Sequence, residues 1–242
     1  MTITEKHYRH FMVDCETLGT LPNKHHVLQI AAVLFNPDTF EPEVDAEGKV
    51  IAFECFLPLA DQMVLGRQAD AGTVKWWQSK DKEAVAPIVF GGVSKAPPLK
   101  DQLNLFSDWI SQHCRVDNKF AESVFWAKPT AFDYPFIDGL FVESNVPSPF
   151  HFRKVVDVAS YITSALKNTH YVLNHYHMTQ HIAVESYWAA FEKVKKAHKG
   201  RKDAHNASAD CIFQLDWLKE SIDNLGYYVS EQGIKETLSR KD

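Results

Sequence analysis

Phe11-Met12-Val13-Asp14-Cys15-Glu16-Thr17 is an apolar run that closes in Asp-x-Glu. In an extended chain residues i and i+2 share a face, so Asp14 and Glu16 project side by side. Two carboxylates a few ångströms apart repel unless a proton or a cation lies between them. A hard divalent ion with oxygen ligands resolves that conflict. Taken alone, the pair reads first as two solvated acids at a surface strand end.

The surrounding sequence gives this run a place in a sheet. Tyr8 to Val13 reads as a strand, Asp14 to Thr20 as a polar turn, and Val27 to Phe35 as a second strand ended by Asn36-Pro37-Asp38. Val50 to Leu57 alternates as a third, which predicts an antiparallel meander at the edge of a sheet. The period then turns helical. Thr73 is placed to cap a helix through Trp76, Trp77 and Lys80, and Leu99 to His113 aligns Leu103, Phe106, Trp109 and Ile110 on one face. Val85 to Pro98, with Gly91, Gly92, Pro97 and Pro98, reads as a loop. Strand and helix alternate afterwards: strand Ser123–Ala127, helix Phe132–Glu143, strand Lys154–Val158, helix Ala159–Lys167, and further helices over Val184–Ala197 and Ala204–Leu218. This order predicts an α/β fold, a mixed sheet with three antiparallel strands first and helices on its faces.

The composition of the 242 residues, 45% hydrophobic and 24% charged, excludes a disordered or fibrous chain and predicts one elaborated domain over 1–242. The net charge of -5 advertises no nucleic acid globally, so any such binding must come from a local patch. Cys15, Cys55, Cys114 and Cys211 form no CxxC pair, and no secretory leader is evident at the start, which predicts reduced thiols and a cytoplasmic protein. No apolar run approaches the length of a membrane span.

Two further signals join the first. Phe125-Trp126-Ala127-Lys128-Pro129-Thr130-Ala131-Phe132-Asp133 runs from a strand through a short loop into a helix that carries Asp133 near its start, where ligands bind in α/β sheets. His205-Asn206-Ala207-Ser208-Ala209-Asp210 enters the last strongly amphipathic helix, with His205 and Asp210 about a turn and a half apart. Each is weak alone. Asp133 could simply complement a helix dipole, and His205 could be a capping or packing residue.

In that order, Asp14, Glu16, Asp133, His205 and Asp210 resemble the DnaQ-like 3′–5′ exonuclease superfamily of the RNase H-like fold, in the subgroup named for four acids and a histidine. The resemblance covers about Phe11 to Leu218. Thr73-Val74-Lys75-Trp76-Trp77 and Phe132-Asp133-Tyr134-Pro135-Phe136-Ile137 are similar to segments of the phage exonuclease A and mycobacterial RNase AS type. The 119 residues from Asp14 to Asp133 are long for the smallest members, which predicts insertions within 40–98.

The resemblance implies a 3′–5′ exonuclease that hydrolyses single-stranded nucleic acid to nucleoside monophosphates with two divalent ions, Mg²⁺ or Mn²⁺. It implies that Asp14 bridges both ions, that Glu16 and Asp210 complete one and Asp133 the other, and that His205 takes the proton from the attacking water. DNA is favoured slightly over RNA as substrate. A hydrolase of short oligonucleotides and a silent binding module are the alternatives, the latter expected to lack one of the five residues. Several relatives are dimers, which leaves a homodimer open, and a phage-encoded member would work in the host cytoplasm.

Substrate contacts are expected from Thr17, Leu18, Gly19, Phe132, Lys199 and Arg201. Leu18 is similar to the wedge position of relatives, and Thr17 and Gly19 either admit the terminal nucleotide or merely shape a turn. Phe132, Trp126 and Trp76 are stacking partners or core. Lys193, Lys195, Lys196, Lys199, Arg201 and Lys202 precede His205, as a mobile phosphate clamp around 193–204 or as a solvated helix end. His170, His175, His177 and His181 lack a zinc spacing and read as ordinary histidines. Asp157 is expected to hold a loop rather than a metal.

Overall fold

The computed structural model describes residues 8–79, 82–116, 119–165, 181–199 and 204–228. In chain order the strands are β1 (Tyr8–Thr17), β2 (Val27–Phe35), β3 (Ala52–Phe56), β4 (Arg115–Val116), β5 (Lys119–Phe120), β6 (Glu122–Ala127) and β7 (Val155–Asp157). The helices are α1 (Leu59–Val64), α2 (Ala71–Trp77), α3 (Ala86–Val93), α4 (Leu99–His113), α5 (Thr130–Glu143), α6 over 158–165, α7 (His181–Ala197) and α8 (Ala207–Tyr228).

Five strands form one sheet in the order β3-β2-β1-β6-β7, and β4 pairs with β5 separately. β1, β2 and β3 are antiparallel, while β6 and β7 run parallel to β1. The expected meander therefore occupies one edge. Alternation along β1 sorts its side chains between two cores. Phe11, Val13 and Cys15 join Leu103, Phe106, Phe136 and Leu140 of α4 and α5. Met12 joins Trp126 and the α8 residues Cys211, Leu215 and Leu218 on the opposite face. Asp14 and Glu16 continue the Met12 side and so come out under α8. A third cluster packs Leu18 and Leu28 against Trp77 of α2 and Val89 and Val93 of α3.

Several boundaries differ from the sequence expectation. β1 does not stop at Val13: Asp14, Cys15 and Glu16 remain paired with Ala31, Ile30 and Gln29, and the register breaks only between Glu16 and Thr17. Ladder hydrogen bonds to the fully buried β2 override the polar composition. Asp70, not Thr73, caps α2: its carboxylate accepts from the Thr73 N–H at 2.8 Å and the Thr73 hydroxyl at 3.1 Å. Lys80 lies outside the described residues.

The segment expected as a loop from Val85 to Pro98 contains α3, with Pro87 in its first turn, where a missing N–H costs nothing. Gly92 is a contact residue rather than a breaker, because a Cβ there would fall 2.4 Å from the Phe56 ring. α8 begins at Ala207, three residues later than expected, after Asn206 Oδ1 accepts from the Ala209 N–H at 3.2 Å. Residues 40–98, the expected site of insertions, hold β3 and the three helices α1 to α3.

Among the described residues no helix is long and apolar enough to cross a membrane. All four cysteines are buried free thiols, as their spacing predicts.

Candidate active site

The end of β1, the start of α5 and the start of α8 converge on one cleft of about 610 Å³, lined by Asp14, Glu16, Asp133, His205 and Asp210 among others. Each residue arrives there for a local reason. Asp14 and Glu16 share one face of β1, as the Asp-x-Glu spacing predicts. Asp133 sits in the first turn of α5, and its Oδ1 accepts from the Cys15 backbone N–H at 3.1 Å and lies 3.3 Å from the Cys15 thiol. Asp210 sits in the first turn of α8, and its Oδ2 accepts from the His205 N–H at 3.1 Å. His205 holds a left-handed backbone with φ 67°, which turns the chain into α8.

Four carboxylates at such close quarters are electrostatically costly. Glu16 and Asp133 are 8% and 2% exposed, and Asp14 is half-buried. Burial first, and then the charges of Asp133, Glu16 and Asp210, hold the Asp14 carboxyl well above the usual carboxylate range. Burial followed by Asp210 and Asp133 does the same to Glu16, opposed by Lys82. Burial pushes Asp133 up to about 7, against the hydrogen bonds from Cys15.

This donor set fits divalent cations. Oxygens dominate it, neighbouring acids raise the pKa of Asp14 and of Glu16, and ligand atoms of Glu16, Asp210 and His205 all lie within 4.8 Å of one another. A cation placed among them would remove the repulsion that burial intensifies.

The other expected contacts divide. Thr17, Gly19 and Phe132 line the cleft. The Thr17 hydroxyl donates to the Gly19 carbonyl at 2.7 Å, and the Trp77 indole N–H donates to the Thr17 carbonyl at 3.0 Å. A Cβ on Gly19 would fall 1.9 Å from His25 Nδ1, so a turn without a side chain is required at this wall. Trp76 is 42% exposed in the cleft and meets the His205 ring edge-on, centroids 4.8 Å apart.

Leu18 is corrected from a cleft residue to a packed one. It is 4% exposed in the α2–α3 cluster and is absent from the cleft wall, because the bulge at Glu16/Thr17 turns the chain there. Trp126 is likewise core, 3% exposed, with its indole N–H donating to His10 Nδ1 at 2.9 Å. Lys199 is exposed beyond the end of α7 and outside the cleft wall, and Arg201 and Lys202 lie outside the described residues. Lys193, Lys195 and Lys196 form the last turns of α7, and Lys193 pairs with Glu220 of α8 at 2.7 Å. His170, His175 and His177 lie outside the described residues; His181 opens α7. Asp157 accepts from the Thr130 N–H at 3.0 Å and the Ser160 N–H at 2.7 Å, so it does hold the loop into α5.

Three residues at the site escaped the sequence reading. Gln214 donates from Nε2 to Asp14 Oδ1 at 2.8 Å; its position four residues after Asp210, on the same face of a helix, was the available signal. Lys128 lines the cleft from within the quoted strand–loop–helix stretch. Lys82 is buried, with its ammonium 4.3 Å from the Trp76 ring centroid, and nothing in its neighbourhood in sequence marks it.

The model of the Rv2179c-like 3′-5′ exoribonuclease domain matches residues 9–222, and the chain belongs to that family. A comparison with curated proteins gave no match. Among solved structures the chain is similar to exonuclease I in a structure concerned with processivity, with a TM-score of 0.56 at 13% identity over 95% of this chain and 45% of that one. It is similar to the zinc-bound E. coli exonuclease I complex with single-stranded DNA, with a TM-score of 0.56 at 13% identity over 97% and 43%. A third is E. coli exonuclease I with a dA16 oligonucleotide, TM-score 0.55 at 14% identity over 96% and 45%. The likeness is one of fold, the RNase H-like α/β arrangement expected from the sequence. The chain spans less than half the length of these structures.

Proposed function

We propose that this member of the Rv2179c-like family is a divalent-metal-dependent 3′–5′ exonuclease that removes nucleoside monophosphates from single-stranded RNA. The observation that carries the reading is the convergence of Asp14, Glu16, Asp133, Asp210 and His205 on one cleft from three separate elements. A silent binding module has no reason to keep four mutually repelling acids together.

Asp14, Glu16, Asp133 and Asp210 would hold Mg²⁺ or Mn²⁺. When bound, two such ions supply charge neutralisation at the phosphoryl group and favour both the attacking water and the departing 3′ oxygen. His205, at the mouth of the cleft and steadied by the Trp76 ring, accepts the water proton, a task suited to an imidazole near neutrality. The Thr17–Gly19 turn and Phe132 wall the space for the terminal nucleoside.

RNA is preferred over the DNA that the sequence alone slightly favoured. The exoribonuclease family extends over nearly the whole chain, whereas the DNA-bound structures are similar at 13–14% identity and support the fold.

The test uses 5′-labelled RNA and DNA of one sequence with Mg²⁺, Mn²⁺ or EDTA, and Asp14→Asn alongside. A metal-dependent ladder receding from the 3′ end, faster on RNA and absent in the variant, is expected. Intact strands under every metal would sink the nuclease reading, and equal or faster DNA shortening would sink the RNA preference.

A further inference from the structure

A second cavity, of about 460 Å³, lies on the other side of the acids, between α7 and α8. Asp14, Lys128, His205 and Asp210 line both this cavity and the cleft, so the border between the two is the carboxylate site itself. A phosphodiester at that border joins two nucleosides, and a chain crossing it leaves one on each side.

The two sides differ in charge. The cleft carries Glu16, Asp133 and Asp70 in addition to the shared acids. Among the described residues the second cavity adds no carboxylate of its own to its wall; it adds Lys195 and His198, with the aromatic rings of Phe191 and Phe213. His198 Nε2 is bonded to Asp216 at 2.8 Å, and Lys195 is an exposed side chain 3.5 Å from Glu192.

Lys128 is held differently. Its ammonium lies 3.9 Å from the centroid of the Trp217 ring and 5.6 Å from that of Phe191. No hydrogen bond or ion pair to a described residue engages it. Half-burying the ammonium is costly and lowers its pKa, an effect that the charge of Asp157 opposes. Resting on an aromatic face offsets part of that cost and leaves the N–H donors free for a ligand. In a chain of net charge -5, this is a local positive wall beside an acidic centre.

We propose that the α7–α8 cavity is the subsite for the nucleotide on the 5′ side of the scissile bond, and that Lys128 and Lys195 contact its phosphate. The assignment rests on the 3′–5′ exonuclease reading, with the terminal nucleoside in the cleft. The ligand chemistry is a phosphate ester carried one nucleotide upstream of the bond that breaks.

A pair of dinucleotides isolates this contact. A 5′-hydroxyl dinucleotide has only the scissile phosphate, whereas its 5′-phosphorylated counterpart adds one phosphate where the subsite lies. Wild-type protein should cleave the phosphorylated form with about tenfold higher kcat/KM, the size of one charge-assisted contact. Lys128→Gln and Lys195→Gln should each bring that ratio towards unity, with unchanged Tm in EDTA showing that the fold is retained.

No preference in the wild type, or a preference that survives both variants, would overturn the subsite. An equal fall on both substrates in Lys128→Gln would also overturn it, by placing Lys128 on the scissile phosphate. Calorimetric titration of the same dinucleotides in EDTA separates this proposal from the nuclease reading. Tighter binding of the phosphorylated form, lost in the variants, supports the subsite even if nothing is cleaved. Equal binding in a protein that cleaves neither ends both.

Discussion

The backbone N–H of Cys15 donates to Asp133 Oδ1 at 3.1 Å, across 118 residues of sequence. This bond ties the strand that carries Asp14 and Glu16 to the helix that carries Asp133, so the acids are positioned by the backbone of their neighbour. It also opposes, without cancelling, the effect of burial on Asp133, whose pKa still stands at about 7. The site is thereby organised at the expense of the metal-free fold.

That expense is measurable. An acid raised from its ordinary 3.8 to about 7 is protonated in the folded state where the unfolded chain is ionised, so its contribution to stability declines as pH rises between those values. The metal-free protein should lose Tm from pH 5 to pH 7.5. Asp133→Asn keeps an acceptor for Cys15 and removes the charge, so it should flatten that decline and raise Tm at pH 7.5 by about 3–6 °C. It should also abolish turnover. Millimolar Mg²⁺ or Mn²⁺ should raise the wild-type Tm at pH 7.5 and that of the variant much less. Thermal melts across pH with EDTA or metal check the three effects on Tm, a turnover assay checks the fourth, and a wild-type Tm that climbs with pH would refute the account.

His205 has two separable properties. As the proton acceptor it should be worth about 10²–10⁴ in turnover, so His205→Ala should lose that much while calorimetric affinity for Mg²⁺ stays within a few-fold. A comparable loss of metal affinity would make the imidazole a ligand instead. Its left-handed backbone, φ 67°, predicts that His205→Gly is more stable than His205→Ala by about 1 kcal/mol. Equal denaturation midpoints for the two variants would contradict this.

Gln214 should tune the metal site through Asp14. Gln214→Met removes the donor to Asp14 Oδ1, and affinity for divalent ions should fall about 10–100-fold. Stability in EDTA should change little, because Gln214 Oε1 is buried without a hydrogen-bond partner among the described residues and its loss offsets that of the made bond. Metal titration and a urea melt together distinguish this from simple unfolding.

Gly19 and His25 should be energetically coupled. Gly19→Ala drives a Cβ into the His25 ring, which accepts from the Leu21 N–H at 3.1 Å, and should cost about 1–3 kcal/mol. His25→Ala in the same chain should recover part of that cost. A double-mutant cycle with strictly additive effects would show that the turn relaxes elsewhere.

The sequence by itself determined the placement of the acids on their elements and the layering. Period-two spacing put Asp14 and Glu16 on one face, strand–loop–helix order put Asp133 at a helix start, and the apolar runs of β1, β2 and β6 announced a sheet covered on both sides. Local patterns suffice for these because strand alternation and helix starts are short-range properties. The tertiary structure decided what depends on contacts between distant segments. The ladder with β2 carried β1 past Val13 to Thr17, and the approach of α3 to Phe56 turned Gly92 from a loop signal into a packing residue. The bulge after Glu16 sent Leu18 into the core, and the crossing of α8 over β1 brought Gln214 to Asp14 from 200 positions away. Lys128 shows the division within one residue: its place between β6 and α5 is written in the sequence, but the Trp217 ring beneath its ammonium exists only once α8 packs on the sheet.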